Sequence, residues 1–191
     1  YKNTGSNVSN VSVIGSSNTV SDGSFDIVIG DNHKLTGASN TVVLGSSDNE
    51  QETTVSDAVL IGHNAKAAQK GDVALGADSE TAAAVATTSA SINGETKNFA
   101  GTAPVATVSV GAAGKERTIT NVAAGRVSAS STDAINGSQL FGVVDEVNKG
   151  VKYAGDVQDT SSMTNAFTQR LGAQTNIVGG VTNTDDLTDN N

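Results

Sequence analysis

Two histidines, His33 and His63, are the only imidazoles in the chain, and they fall three and one residues after Gly30 and Gly62. Neutral imidazole ligates metals and titrates near neutral pH. A matched pair could therefore hold a metal or sense protons; the alternative is a pair of surface turn residues. Carboxylates are the other candidates. Asp26, Asp57 and Asp72 each stand just before a short apolar run, and Asp185, Asp186 and Asp189 cluster near the end. A glycan-cleaving site needs two carboxylates facing one another across a groove, whereas these three strand-start aspartates are isolated from partner acids. The last cluster lacks both the DxDxDG spacing of a calcium loop and the GGxGxD repeat of calcium-binding rolls. No Cys is present, and no HExxH, GxSxG or GxxxxGK[ST] occurs. Three glycosylation sequons, at Asn7, Asn10 and Asn136, are short matches in an Asn/Ser-rich chain. The expectation is a protein that is not an enzyme, with no catalytic residue, no cofactor and no metal site.

The elements that carry these residues repeat. VSVIG, DIVIG, TVVLG, AVLIG and DVALG end at Gly15, Gly30, Gly45, Gly62 and Gly76, at spacings of 15, 15, 17 and 14. Helix-pair repeats need ~33 residues and propeller blades ~40. A unit near 15 holds two short strands and two turns at ~3.3 Å per residue, which predicts the rung of a two-sided parallel β-roll. Ile14, Ile29, Leu44, Ile61 and Leu75 precede the glycines, and Ser12, Ile27, Val42, Val59 and Val73 stand two residues earlier. Side chains alternate along a strand, so these two columns share one face. Val13, Val28, Val43, Leu60 and Ala74 occupy the other. Both faces are apolar, which implies burial on both sides. The second strand of each rung, carrying Val20, Leu35, Val55 and Ala67, can cover only one. The simplest cover for the other is a second copy of the chain. The glycines suit turns with positive φ. Asn18, Asn32, Asn40 and Asn64 suit left-handed turns or, alternatively, an asparagine ladder.

Composition agrees with thin stacked layers rather than a rounded core. The chain of 191 residues has 21 Gly, 3 % aromatics and no Trp. Its net charge of −9 argues against nucleic acid, which requires clustered Lys and Arg. No run of 18 apolar residues occurs, so direct membrane insertion by this chain is not expected; the initial Tyr1 suggests a piece of something longer.

After Gly76 the period lapses. Asn93-Gly94 within SINGETKNFAG predicts an inserted β-hairpin, and a roll-type strand resumes over residues 105–110. Further on, Thr132 or Asp133 is a candidate cap for a helix starting near Ala134 or after Gly137. Leu140, Val144, Val147 and Val151 follow at spacings of 4, 3 and 4, a short heptad seam.

The run ERTITNVAAGRVSASSTDAINGSQL closely resembles the neck of trimeric autotransporter adhesins, the YadA-like surface fibres of Gram-negative bacteria. NTVVLG, DAVLIG and GDVALG resemble that family's head repeat, whose usual form is NSVAIG. The resemblance covers about residues 8–151. It implies an all-β fold with a short α coiled-coil segment: a trimeric left-handed parallel β-roll (residues 1–80), an inserted hairpin with the last roll-type strand (81–114), a neck (115–138), a short trimeric coiled coil (139–151) and a small β-rich stalk connector of the GIN or Trp-ring kind (152–191). Ile119, Val122, Ala123 and Ala124 would cross between chains in the neck, and Leu140, Val144 and Val147 would begin the coil. Trimer and core packing is thus expected of Ile14, Ile27, Ile29, Val42, Leu44, Val59, Ile61, Val73, Leu75, Ile119, Val122, Leu140, Val144 and Val147. The implied function is adhesion: a homotrimer at the bacterial surface, anchored in the outer membrane through a C-terminal anchor beyond this segment, that binds host matrix proteins, cell-surface receptors or other bacteria. The rivals are a structural spacer with its binding tip elsewhere and a carbohydrate-active β-solenoid enzyme. No ligand-binding residue is named.

Overall fold

The structure is a computed structural model that describes residues 2–153, 167–169 and 171. The chain divides into two compact units, residues 1–121 with 127–132, and residues 122–126 with 133–191.

The first unit is a parallel β-solenoid of about five turns. In chain order its strands are β1 (Thr4–Ser6), β2 (Ser12–Ile14), β3 (Thr19–Ser21), β4 (Ile27–Ile29), β5 (His33–Thr36), β6 (Val42–Leu44), β7 (Gln51–Thr53), β8 (Val59–Ile61) and β9 (Val73–Leu75). They are followed by a hairpin, β10 (Ser89–Ile92) and β11 (Glu95–Asn98), and by β12 (Val108–Ser109). One sheet runs β1-β3-β5-β7 and the other β12-β9-β8-β6-β4-β2. Register follows the sequence period: Val28 pairs with Val13 and Val43, and Val43 with Leu60. The repeating unit read from the glycines is therefore the structural rung.

The middle column of each run fills the roll. Val28, Val43, Leu60 and Ala74 are buried with Val20 and Leu35 from the opposite sheet, and Val13 and Ala67 pack against them. Val55 departs from expectation. The third rung's opposing strand is Gln51–Thr53, so Val55 lies beyond it and buried Gln51 and Thr53 line the interior instead. Ala67 likewise stands outside any strand, next to the single bridge between Lys66 and Glu80.

The glycines do more than turn. Gly15, Gly30, Gly45 and Gly62 have φ between 133° and 147°, and a Cβ on Gly30 would sit 1.9 Å from the Gly45 carbonyl oxygen. No other residue permits rungs to stack this closely. The asparagines split between the two roles. Asn32, Asn40 and Asn64 are left-handed, with φ of 66°, 57° and 56°. Asn18, itself buried, instead belongs to a ladder: its amide donates to Gly30 O at 2.7 Å, as that of the exposed Asn3 does to Gly15 O at 2.8 Å, and its Oδ1 accepts the His33 N–H at 3.0 Å.

Asn93 and Gly94 both have positive φ and close the β10–β11 hairpin. β12 then rejoins the roll in register, Val108 against Val73.

In the second unit, α1 (Gly137–Lys149) is capped by Asn136, not by Thr132 or Asp133. Asn136 Oδ1 accepts the Gln139 N–H at 3.3 Å, and Gln139 Oε1 accepts the Asn136 N–H at 3.3 Å, a reciprocal capping box. Asp133 is otherwise engaged, its carboxylate bonding Arg126. α1 stops at Lys149, where Gly150 turns at φ 64°, so Val151 leaves the seam and enters β13 (Val151–Tyr153), antiparallel to β14 (Phe167–Gln169). The connector strands expected around Gly179-Gly180 and the aspartates 185, 186 and 189 lie outside the described residues.

Candidate assembly and binding faces

The two outer columns of the repeating run point away from the roll's own core. Ile14, Ile27, Ile29, Ile61 and Leu75 remain 37–63 % exposed, and Val42, Leu44, Val59 and Val73 are half-buried. Nine aliphatic side chains thus form two parallel stripes on one flat sheet, extended by the exposed Val108. Alternation explains the split. The column that the second sheet can reach is dry, and its neighbours on either side must face outward. Within one chain only one face of the apolar run is buried. An uninterrupted aliphatic face of this kind is characteristic of a contact surface.

In the second unit no residue of α1 is buried, and Leu140, Phe141, Val143, Val144 and Val147 are exposed. The segment 122–126 is stitched to the start of α1. Gly125 N–H donates to Gln139 Oε1 at 2.9 Å, Gln139 Nε2 donates to Gly125 O at 2.6 Å, and Asn136 Nδ2 donates to Val122 O at 3.1 Å. Arg126 holds Asp133 through Nε–Oδ2 at 2.7 Å and Nη2–Oδ1 at 3.0 Å. That guanidinium keeps the Asp133 carboxyl below the ordinary carboxylate range. The NVAAG and TDAINGSQL blocks are therefore two halves of one joint. Val122 is half-buried beside it. Ile119, in the first unit, is exposed.

The chemistry-bearing residues do not converge. His33 is not a surface turn residue: it is buried in β5, where Nε2 donates to Gly45 O at 2.6 Å and replaces the asparagine of the ladder. A carbonyl only accepts, which fixes the proton on Nε2, and Nδ1 is buried without a partner. No turn or metal signal in the sequence could show this; the 15-residue register with Asn18 could. His63 is a surface residue with Nε2 3.1 Å from Asp48. Asp26 and Asp72 are buried, and Asp57 pairs with Lys70 at 3.1 Å, so none of the three faces a substrate with a partner acid. Among the described residues no group of three His, Asp or Glu side chains could hold a metal, and no helix is long and apolar enough to cross a membrane.

A cleft of about 590 Å³ opens between residues 47–52 and 112–115. Its carboxylates are largely spoken for: Asn64 Nδ2 donates to Asp48 at 2.9 Å, Lys115 pairs with Asp78 at 2.9 Å, and Lys34 with Glu52 at 2.9 Å. Hydrogen bonding by Asn64 and the neighbouring His63 lower the Asp48 pKa, and Lys115 with Asn64 lowers that of Asp78.

Residues 118–163 match the family model described as the coiled stalk of trimeric autotransporter adhesin. Autotransporter adhesin BtaE from Brucella suis biovar 1 (strain 1330) is 63 % identical over 67 residues, which is 35 % of this chain and 9 % of that protein. The solved C-terminal YadA-like domain of BPSL2063 from Burkholderia pseudomallei shares 55 % identity, covering 52 % of this chain and 49 % of that one, at a TM-score of 0.47. The chain thus spans under a tenth of the curated relative and about half of the solved one. The stalk match and the BtaE segment make part of this chain similar to trimeric autotransporter adhesins, and among the described residues a parallel solenoid with one short helix accords with that class.

Proposed function

We propose that this chain is a non-enzymatic head, neck and stalk segment of a surface adhesin, which presents three copies of its exposed rungs to host matrix proteins, host cells or other bacteria. The single supporting observation is the pair of outward aliphatic columns on the six-stranded sheet. Covering the remaining exposed area of nine such side chains contributes about 1 kcal/mol each, a sum of the same order as the roughly 4–15 kcal/mol that association costs. Three rolls that meet through these columns form the head (residues 1–80). The hairpin and last strand (81–114) close it, and the neck (115–138) hands the chains to a coil seeded by Leu140, Val144 and Val147. Ile119 and Val122 then lie between chains in the neck. Anchoring in the outer membrane belongs to a region beyond this segment. Multivalency turns weak single contacts into firm attachment.

The test is mass in solution. The intact chain should sediment at three times 19.1 kDa. Ile61→Asp places a charge on the outward column and should shift the mass toward one chain, with the β-sheet circular dichroism of the roll retained. A monomeric intact chain overturns the reading. Binding of the trimer to immobilised matrix proteins or host cells then separates adhesion from a spacer role: a trimer that binds nothing, while a longer form does, is a spacer.

A further inference from the structure

One left-handed column, at the corner that leads into the outward strand of each rung, contains Asn10, Phe25, Asn40, Asp57 and Gly71, with φ of 55°, 59°, 57°, 58° and 81°. Gly, Asn and Asp tolerate this conformation; for a bulky side chain it is strained. Strain in a fold is ordinarily offset by burial, yet Phe25 is 60 % exposed. Folding explains four members of the column and not the fifth. Strain held without structural gain marks functional positions.

The flanking residues differ from the other left-handed asparagines in the roll. Asn7 Nδ2 donates to Asp22 at 2.8 Å, Asn32 Nδ2 to Ser47 O at 2.7 Å and Asn64 Nδ2 to Asp48 at 2.9 Å. The carboxamides of Asn10 and Asn40 are exposed and bond nothing among the described residues. The backbone at this corner is already used, Phe25 N–H donating to Ser9 O at 3.0 Å and Asn40 N–H to Ser24 O at 2.9 Å, so it offers no strand edge to a peptide. Nor is any of the three side chains charged.

We propose that Asn10, Phe25 and Asn40 form a subsite for the ring of a neutral sugar. Parallel neighbours stack ~4.8 Å apart, so one free carboxamide stands on each side of an exposed aromatic face. The phenyl ring covers the apolar C–H face of a pyranose. Each carboxamide offers two donors and an acceptor to the hydroxyl groups around its rim. An uncharged strip selects against acidic sugars. The subsite is complete within one chain; only its avidity rests on the trimeric reading, so the two can fail separately.

The experiment is an NMR titration of the whole chain, observing side-chain amides, with the methyl glycosides of glucose, galactose, mannose and N-acetylglucosamine, and with glucuronic acid as the charged control. At least one neutral glycoside should shift the Asn10 and Asn40 Nδ2 signals with a millimolar Kd, and glucuronic acid should not. Phe25→Asn restores the residue type of its neighbours; it should raise the melting temperature and weaken binding at least tenfold. Phe25→Tyr should bind within about threefold of the native chain. The proposal is overturned if no glycoside shifts these amides, if Phe25→Asn binds undiminished, or if Phe25→Asn alone changes the sedimenting mass, which would assign the ring to a contact between copies.

Discussion

Asp72 Oδ1 accepts the Thr107 N–H at 2.9 Å and so closes an excursion of 35 residues that contains the inserted hairpin. Its Oδ2 accepts the Thr81 hydroxyl at 2.5 Å and the Gln69 N–H at 3.0 Å. One buried carboxylate thus ties the corner of the fifth rung to both the start and the return of the insertion. It works beside the two-residue register of β12 on β9, the Val73 N–H to Thr107 O bond and the Glu80 N–H to Gly111 O bond, both at 2.9 Å.

Asp72→Ala should therefore cost about 3 kcal/mol, because it strands the buried Thr81 hydroxyl and two part-buried N–H donors at once. Urea unfolding at pH 7 measures the total, and amide exchange should show early loss of protection at Val108 and Ser109. Burial opposes the charge of Asp72, but the bonds from Thr81, Thr107, Gln69 and Ala68 outweigh it and leave the pKa below the usual 3.8. A depressed folded pKa stabilises above the unfolded value. This contribution should be intact above about pH 4 and fade as pH falls through the folded pKa, a fading absent from Asp72→Ala.

Asp26 occupies the equivalent position three rungs earlier and carries the opposite sign. Burial raises its pKa and only the Thr41 N–H, at 2.9 Å from Oδ1, opposes that shift, while Oδ2 is buried without a partner. A raised folded pKa means that the stabilising effect is complete below 3.8 and lost as pH rises through the folded value. Asp26→Asn should accordingly be more stable than the native chain at pH 7, with the gap narrowing toward pH 3. Paired thermal melts across that range check it; a gap of constant size refutes the assignment.

These two aspartates show where the sequence stops being informative. The glycine period, the alternation of the apolar columns and the Asn93-Gly94 hairpin are local patterns, and each could be read directly. The state of Asp26, Asp72 and His33 depends on what the next rung offers. Asp26 and Asp72 precede near-identical runs, yet one meets a single backbone donor and the other two donors from an insertion besides one from its own turn. The helix start is equally hard to read: Thr132 and Asp133 are good caps in the sequence, yet Asn136 takes the role. Arg126 decides it by engaging Asp133.

The glycines allow a sharper contrast. A Cβ on Gly30 would lie 1.9 Å from Gly45 O, whereas one on Gly37, at φ 68°, would meet nothing within 4 Å. Gly37→Ala should cost only the left-handed penalty, about 1 kcal/mol. Gly30→Ala forces two rungs apart and should cost on the order of 4 kcal/mol or prevent folding. Similar melting temperatures for the two variants would show that rung stacking is not what fixes the glycines.

Arg117 supplies the last test, because it ends the glycine stack. Gly15, Gly30, Gly45 and Gly62 each lie over the carbonyl of the next glycine in the stack, but Gly76 lies under the Arg117 guanidinium, 3.0 Å from its Cζ to a hypothetical Cβ. Although Val108 pairs with Val73, Gly111 does not meet Gly76. The guanidinium stands between the two corners, donating from Nη2 to Ala77 O and from Nη1 to Val110 O, both at 2.6 Å, and to Ser79 Oγ at 3.2 Å. These are acceptors that would otherwise await another rung. A planar fork with several donors can span them, and an ammonium cannot. Arg117→Ala should cost about 2–3 kcal/mol, and Arg117→Lys should recover less than half of that. Amide exchange should localise the loss to residues 73–79 and 108–111, with the rungs before Gly45 unchanged. Full rescue by lysine would reduce Arg117 to a simple positive charge and remove the wedge from the account of how the roll terminates.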